Sequence, residues 1–305
     1  MVFSGFFHSL NLPDGAGPPP FTPTQPPAMS GLLRTTTSSI ASNNMTEMRM
    51  SRDGNHVFYN YTPTGGLASY GLGIRNLSTP FDVSTAGSVS ASAQSSLGRP
   101  FAQACVNEIG AADYGRKFYF LGHSGIIGKM TASSAFGGTL TNVGNVGSHP
   151  HGRVEYAEFH NNGSNLYVFS TSTLWDYSLS TPYDLDINLS TGATLVHTNT
   201  GFGSNLMGSS IASHASFVSR GNYLYVTART GLVRLFDTTS APYDLAAVAL
   251  NGTGTHIDSA TIGDANTEYA LEFDRESNIV VGSKGFVMSR GAANTNGNAY
   301  LLTQT

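Results

Sequence analysis

The carboxylates are the first residues with a claim to chemistry. Glu155, Glu158, Glu268, Glu272 and Asp274 fall on or beside stretches with strand character. Glycoside hydrolysis needs two carboxyl groups flanking one bond, one protonated and one ionised. Side chains alternate between the faces of a strand. Glu155 and Glu158, three positions apart, therefore point to opposite sides, whereas Glu268 and Glu272 can share a face. His149 and His151, in "SHPHG", could face one way in an extended segment and share a metal. Their spacing supplies no third ligand, and the segment reads as a loop. "GHSGI", residues 122–126, approaches the hydrolase pattern G-x-S-x-G, but Ile126 stands in place of the last glycine. No helical pattern follows, as that elbow requires, so the segment reads as a hairpin turn. Asn162-Gly163-Ser164 matches a glycosylation acceptor, a match expected by chance in so Ser/Thr/Asn-rich a chain. The expectation is a protein without enzymatic activity, with no catalytic, cofactor-binding or metal-binding residues.

The elements that would position these residues are strands. Only 11% of the 305 residues are charged, against roughly a quarter in an average soluble domain. Gly, Ser, Thr and Asn take their place, and they suit strands and tight turns more than long helices. Few charges also fit a surface covered by neighbours. The formal net charge is −4, with no basic run, which argues against a nucleic-acid partner. The one cysteine, Cys105, excludes an internal disulfide and reads as a small buried residue in a strand. No segment has the length and apolarity of a membrane-spanning helix, and the N-terminus has no basic region of a signal peptide. Membrane insertion is not expected.

Internal repetition organises the chain. "FHNNGSNLYVFSTSTLWDYSLSTPYDL" from Phe159, "FVSRGNYLYVTARTGLVRLFDTTSAPYDL" from Phe217 and the segment from Met50 to Val83 share one order of features. A strand ends, a glycine turn follows, two strands come next, and Pro-aromatic-Asp closes the unit. Weaker copies start near Ala111, where Phe136 stands at the aromatic position, and at Phe273. The turn residues Gly54, Gly115, Gly163, Gly221 and Ser277 are 61, 48, 58 and 56 residues apart. Met50, Ala111, Phe159, Phe217 and Phe273 each precede their turn residue by four positions. The third unit predicts strands at about 154–159, 165–170, 174–179 and 194–198. The second predicts strands at 117–121 and 126–130, the fourth at 223–227 and 232–236, the fifth at 279–281 and 286–289. Four short antiparallel strands in each of five units predict an all-β fold, a five-bladed β-propeller. A six-bladed ring with a degenerate blade, or a β-sandwich imitating the period, are the alternatives.

The repeated motif comprises Pro80, Phe81 and Asp82; Pro182, Tyr183 and Asp184; and Pro242, Tyr243 and Asp244. Proline ends the third strand of a unit. Aspartate can accept from a backbone N–H two residues on. The aromatic can fill the gap between blades. Recurrence with the period of the fold gives the motif an architectural role. The phrase "YxLSTPxDxST" after a "DGxxxYV" hairpin resembles β-propeller-like repeat proteins encoded by bacteriophages, notably marine ones. The resemblance covers about residues 50–244. That family commonly has Trp after Pro, where this chain has Phe81, Tyr183 or Tyr243. The resemblance implies a structural component of a virion, a tail, fibre or capsid-decoration protein assembled in the host cytoplasm and acting as a protein-protein interaction scaffold. It carries over no catalytic residues. The alternative from another class is a propeller that binds a host-surface glycan, with glycoside hydrolysis behind it.

Residues 1–45 do not fit the repeat. A dense proline cluster favours extended polyproline-like conformations, and Phe3, Phe6, Phe7 and Leu10 precede it as a small apolar anchor. The segment reads either as a disordered tail or as an arm that docks its Phe cluster on a neighbouring subunit. The domain expectation is an extended Pro-rich arm over 1–45, docking on other virion proteins, and a propeller over 46–305.

Overall fold

The structure is a computed structural model. It describes residues 32–41, 44–62, 70–95, 100–122, 125–170, 172–200, 212–218, 223–228, 232–238, 258–261, 268–272, 285–290 and 297–304. The fold is all-β, built from four-stranded antiparallel sheets. Strand β1 (Leu32–Ala41) comes first in the chain and belongs to the last sheet. The first sheet is β2 (Asn44–Met50), β3 (His56–Thr62), β4 (Tyr70–Leu77) and β5 (Ala86–Ser95). The second is β6 (Pro100–Cys105), β7 (Lys117–Gly122), β8 (Ile126–Ser134) and β9 (Gly137–Ser148). The third is β10 (Tyr156–His160), β11 (Asn165–Phe169), β12 (Leu174–Leu179) and β13 (Ala193–Asn199). The fourth is β14 (Ala212–Val218), β15 (Tyr223–Ala228), β16 (Leu232–Asp237) and β17 (Asp258–Thr261). The fifth takes β18 (Glu268–Glu272), β19 (Gly285–Arg290) and β20 (Gly297–Gln304) from the end of the chain and β1 from its beginning.

The first strands of the sheets are neighbours in a closed order. β2 lies beside β6, β6 beside β10, β10 beside β14, β14 beside β18, and β18 beside β2. Sheets that meet face to face must bury both faces of their inner strands. The sequence shows this as continuous apolar runs in place of alternation. "KFYFLG" of β7 and "NLYVF" of β11 are buried at every position after the first. The outermost strands are different. β9 and β13 are mostly exposed or half-buried and built from Gly, Thr, Asn and Val. One core joins the first and second sheets through Phe58, Leu72, Ile74, Phe118, Phe120 and Met130. Another joins the second and third through Tyr119, Ile127, Phe159, Leu166 and Val168. Cys105 is buried at the end of β6, where burial pushes its thiol pKa far up.

Several strand expectations differ in detail. The third sheet begins at Tyr156, not at residue 154, because Val154 and Glu155 still belong to the incoming loop. Ala111 lies in the longer turn joining β6 to β7 and not at a strand end. Residues 286–289, expected as the third strand of their unit, sit in β19, which pairs directly with β18 and so stands second. Residues 279–281 lie outside the described residues.

The arm expected over 1–45 needs a correction at its C-terminal end. β1 pairs antiparallel with β20 from Leu32↔Gln304 to Ala41↔Gly297. Residues 32–41 are therefore a sheet strand. Their Thr- and Ser-rich sequence contains no proline, so every residue can contribute an N–H to a ladder. β2 already begins at Asn44. Phe3, Phe6, Phe7 and Leu10 lie outside the described residues.

Candidate functional site

The repeated motif forms a clamp between a turn and a loop. Phe81 and Tyr183 have φ of 62° and 59°, and Phe136, in the copy without Pro and Asp, has 47°. A positive φ is uncommon for a bulky side chain. It is held here by one repeated hydrogen bond. The backbone N–H of Phe81 donates to the Gly54 carbonyl at 2.9 Å, that of Phe136 to Gly115 at 2.8 Å, and that of Tyr183 to Gly163 at 2.9 Å. The three glycines have φ of 71°, 60° and 77°, and each aromatic ring lies where a Cβ on its glycine would stand. Glycine is thus required twice at each position, for the turn and for the ring.

The aspartates complete the loop. Asp82 Oδ1 accepts from the Ser84 N–H at 3.1 Å, and Asp184 Oδ1 accepts from the Asp186 N–H at 2.9 Å. The clamp also faces the preceding sheet. The Tyr119 hydroxyl of the second sheet donates to Asp184 at 3.3 Å, and Lys129 pairs with Asp186 at 2.6 Å. Tyr183 packs edge-on against Phe159, with ring centroids 5.5 Å apart. Phe136 is fully buried in the core shared by the first two sheets. Phe81 and Tyr183 are only half-buried, and Pro80 and Pro182 are exposed. Pro242, Tyr243 and Asp244 lie outside the described residues.

The inner strands carry a second, charged constellation. Arg49 on β2 donates from Nε to Glu47 Oε1 at 2.9 Å. Its guanidinium also donates to the Ala157 carbonyl on β10 and lies 4.4 Å from the centre of the Tyr156 ring. The Tyr156 hydroxyl donates to Glu158. In the turn after β2, Arg52 pairs with Glu108. The Arg52 N–H donates to Asn107, whose amide donates back to the Met50 carbonyl at 2.9 Å. One arginine thus spans from the first sheet to the third, and a neighbouring turn is tied to the second.

Charge in this cluster is balanced by protonation. Burial pushes the Glu158 carboxyl up to about 8, against the pull of Arg49 and Arg52 and with the help of Glu108 and Glu47. Glu158 is therefore mostly protonated at pH 7, while Glu47 pairs with Arg49 and Glu108 with Arg52. A carboxylic acid held protonated can serve as a general acid. Glu158 is only 5% exposed and Glu47 not at all, so neither carboxyl lies open to solvent. A shallow depression of about 200 Å³, lined by Ser178, Leu179, Thr191 and Thr194, lies on the outer strands of the third sheet. It holds no titratable side chain.

The sequence-derived candidates fall in other settings. Glu155 pairs with Arg153 and is buried. Glu268 and Glu272 lie at the two ends of β18, and Asp274 is outside the described residues. Nε2 of buried His149 meets the Gly122 carbonyl at 2.9 Å. His151 stacks on Trp175 at 3.7 Å, and its Nε2 meets the Tyr177 hydroxyl at 2.7 Å. Among the described residues no group of three or more His, Cys, Asp or Glu side chains could hold a metal. Gly122 and Ile126 end β7 and begin β8, so "GHSGI" joins the two strands of a hairpin. Among the described residues, no helix is long and apolar enough to cross a membrane.

These burial effects set a pH profile. Glu158 has a folded pKa of about 8 against an ordinary 4.5. The stability it contributes is whole below 4.5 and is lost as pH rises through about 8. Burial pushes His149, His160 and His151 down, His151 to about 4. Their contribution runs the other way and is lost as pH falls below 6.5, for His151 through about 4. Between 6.5 and about 8, Glu158 alone of these four still titrates. Thermal melts should show stability falling over that interval, and Glu158→Gln should flatten the fall. An unchanged alkaline slope in the variant would mean that Glu158 is ionised in the folded chain.

No protein-family model matches the sequence, and no curated protein matches it. Among solved structures, the β-propeller domain of Cps50 (Swd1) from Myceliophteria thermophila is similar over 85% of this chain and 67% of that one. The two are 11% identical and superpose with a TM-score of 0.38. A likeness that distant says nothing of what this chain does.

Proposed function

We propose that this chain is a five-bladed β-propeller serving as a structural, protein-binding subunit of a bacteriophage particle. The propeller reading draws its support from the closed order of the five first strands and from β1, which completes the sheet built by the other end of the chain. Completing the last blade with the first strand holds a ring shut without a covalent bond. The scaffold reading is carried by one observation. The residues of the phage-like repeat phrase, Phe81 and Tyr183 with their aspartates, close turns onto loops at the sheet joints. Glu47 and Arg49 of β2 and Glu158 of β10 are likewise bonded to protein groups and sealed from solvent. The phage particle enters through the resemblance of that phrase, and the low charge of the chain fits a surface covered by neighbours.

The docking element in this reading is the N-terminal segment. Burying one Phe side chain contributes roughly 1.5–3 kcal/mol, so Phe3, Phe6 and Phe7 together can offset the ordering of a proline-stiffened segment. Deleting residues 1–28 spares β1, which starts at Leu32. The truncated protein should melt at the temperature of the full chain, while its incorporation into particles falls sharply. Normal incorporation would remove the docking role. Absence of the full-length protein from purified particles would remove the virion reading, and saturable binding on a glycan array would move the assignment to a carbohydrate-binding propeller.

A further inference from the structure

Asn60 and Gln103 are completely buried, and none of the four polar atoms of their carboxamides has a hydrogen-bond partner among the described residues. Register brings the two side chains to one joint. Asn60 is two positions from Phe58 on β3, in a stretch paired to β4 without a bulge, so the two share a face. Gln103 is two positions from Cys105 on the regular part of β6. Phe58 and Cys105 belong to the single core between the first and second sheets. Both amides therefore face that joint. Their depth also agrees. Gln103 pairs in the ladder with Phe120, and Asn60 with Leu72, and both partners belong to that same core. On its other side Asn60 stands opposite Glu47, which is already engaged by Arg49.

A buried amide left unmatched is costly, and buried polar groups in native proteins almost always have a partner. Two that face one joint and are bonded neither to each other nor to another group there leave a place for a third participant, whose chemistry the donor set specifies. Each carboxamide offers two N–H donors and an oxygen acceptor. A cation would engage only the oxygens and an anion only the N–H groups. The neighbouring charges, Glu47 and Arg49, already balance. What fits is a neutral molecule that both donates and accepts.

We propose that the inner end of the joint between the first and second sheets is a built hydration site, in which bound water bridges the Asn60 and Gln103 carboxamides. The site belongs to the interior and is independent of any partner of the protein. Buried water of this kind makes about three hydrogen bonds and is held far longer than surface water.

The test uses the full chain in solution. Oxygen-17 magnetic relaxation dispersion registers long-lived internal water, and its amplitude should fall in the Asn60→Leu/Gln103→Met double variant. The stabilities of the two single variants and the double should also be non-additive. Either single change strands the water and the remaining amide, whereas the double removes all three, so it should be no less stable than the worse single variant. Equal dispersion amplitudes in native and double variant would overturn the proposal. Should the variants not fold, a high-resolution crystal structure of the native chain decides. Solvent density within hydrogen-bond distance of both amides supports the site, and amides bonded only to protein groups overturn it.

Discussion

Gly163→Ala should destabilise the fold by roughly 2–5 kcal/mol, far more than an alanine exchange on a surface turn. The added Cβ would lie 2.4 Å from Cγ of Tyr183, at a backbone φ of +77°. The left-handed conformation alone costs an L-residue about 1–2 kcal/mol, and overfilling a packed site costs about 1–3 kcal/mol more. Urea unfolding measures the drop. Gly152→Ala is the control, because a Cβ there meets nothing within 4 Å and the backbone φ is ordinary. Tyr183→Gly removes both the ring and the positive-φ side chain. It loses packing against Phe159, yet it clears the space that the added methyl of Gly163→Ala would need. The double variant should therefore be less destabilised than the sum of the singles. Additive losses would mean that ring and glycine do not act as one clamp. A Gly163→Ala protein as stable as the Gly152→Ala control would mean that the turn relaxes around the new methyl. The same result is expected at Gly54 with Phe81 and at Gly115 with Phe136.

The clamp shows how far the sequence could be read. Both of its halves were visible as repeats, the glycine of the turn and the aromatic of the motif, in the same order in the units headed by Met50 and Phe159. That they touch was not visible. A glycine turn and a Pro-aromatic-Asp loop each have a sufficient local explanation, and nothing in either requires the other. The clue lay in Phe136, which keeps the aromatic where Pro and Asp are lost, beside Gly115 in the same unit. An aromatic that outlasts its motif is needed for its ring. The strands of the middle units were legible because their inner strands are apolar on both faces. β1 was not, since its Ser- and Thr-rich sequence has no apolar face and its partner β20 lies at the far end of the chain. Local pattern cannot disclose a pairing of that separation.

The charged cluster was missed for a different reason. "TEMRM" alternates Met48 and Met50 with Glu47 and Arg49. That alternation reads as a strand with one face in solvent, whereas the face bearing Glu47 and Arg49 is just as deeply enclosed, at 0% and 4% exposure. In so sparsely charged a chain, two opposite charges on one strand face were the available signal.

Arg49→Met is expected to be the most damaging substitution on the inner strands. It keeps most of the apolar stem and removes the guanidinium from Glu47, from the Ala157 carbonyl and from the Tyr156 ring. Removing one partner of a buried pair costs about 3–5 kcal/mol, whereas replacing both by apolar residues can be neutral. Glu47→Leu/Arg49→Met should therefore regain much of what Arg49→Met loses. A second readout separates electrostatics from lost packing. Arg49 is the foremost charge drawing the Glu158 pKa down against burial, so without it that pKa should climb above its native value of about 8. The alkaline fall in stability should then move to higher pH in Arg49→Met, while Arg49→Lys, which keeps a positive charge but not the fork of donors, should move it less. If Arg49→Met lowers stability but leaves the alkaline midpoint where it was, the arginine is a packing element and the charge balance around Glu158 is set by Arg52 and its neighbours.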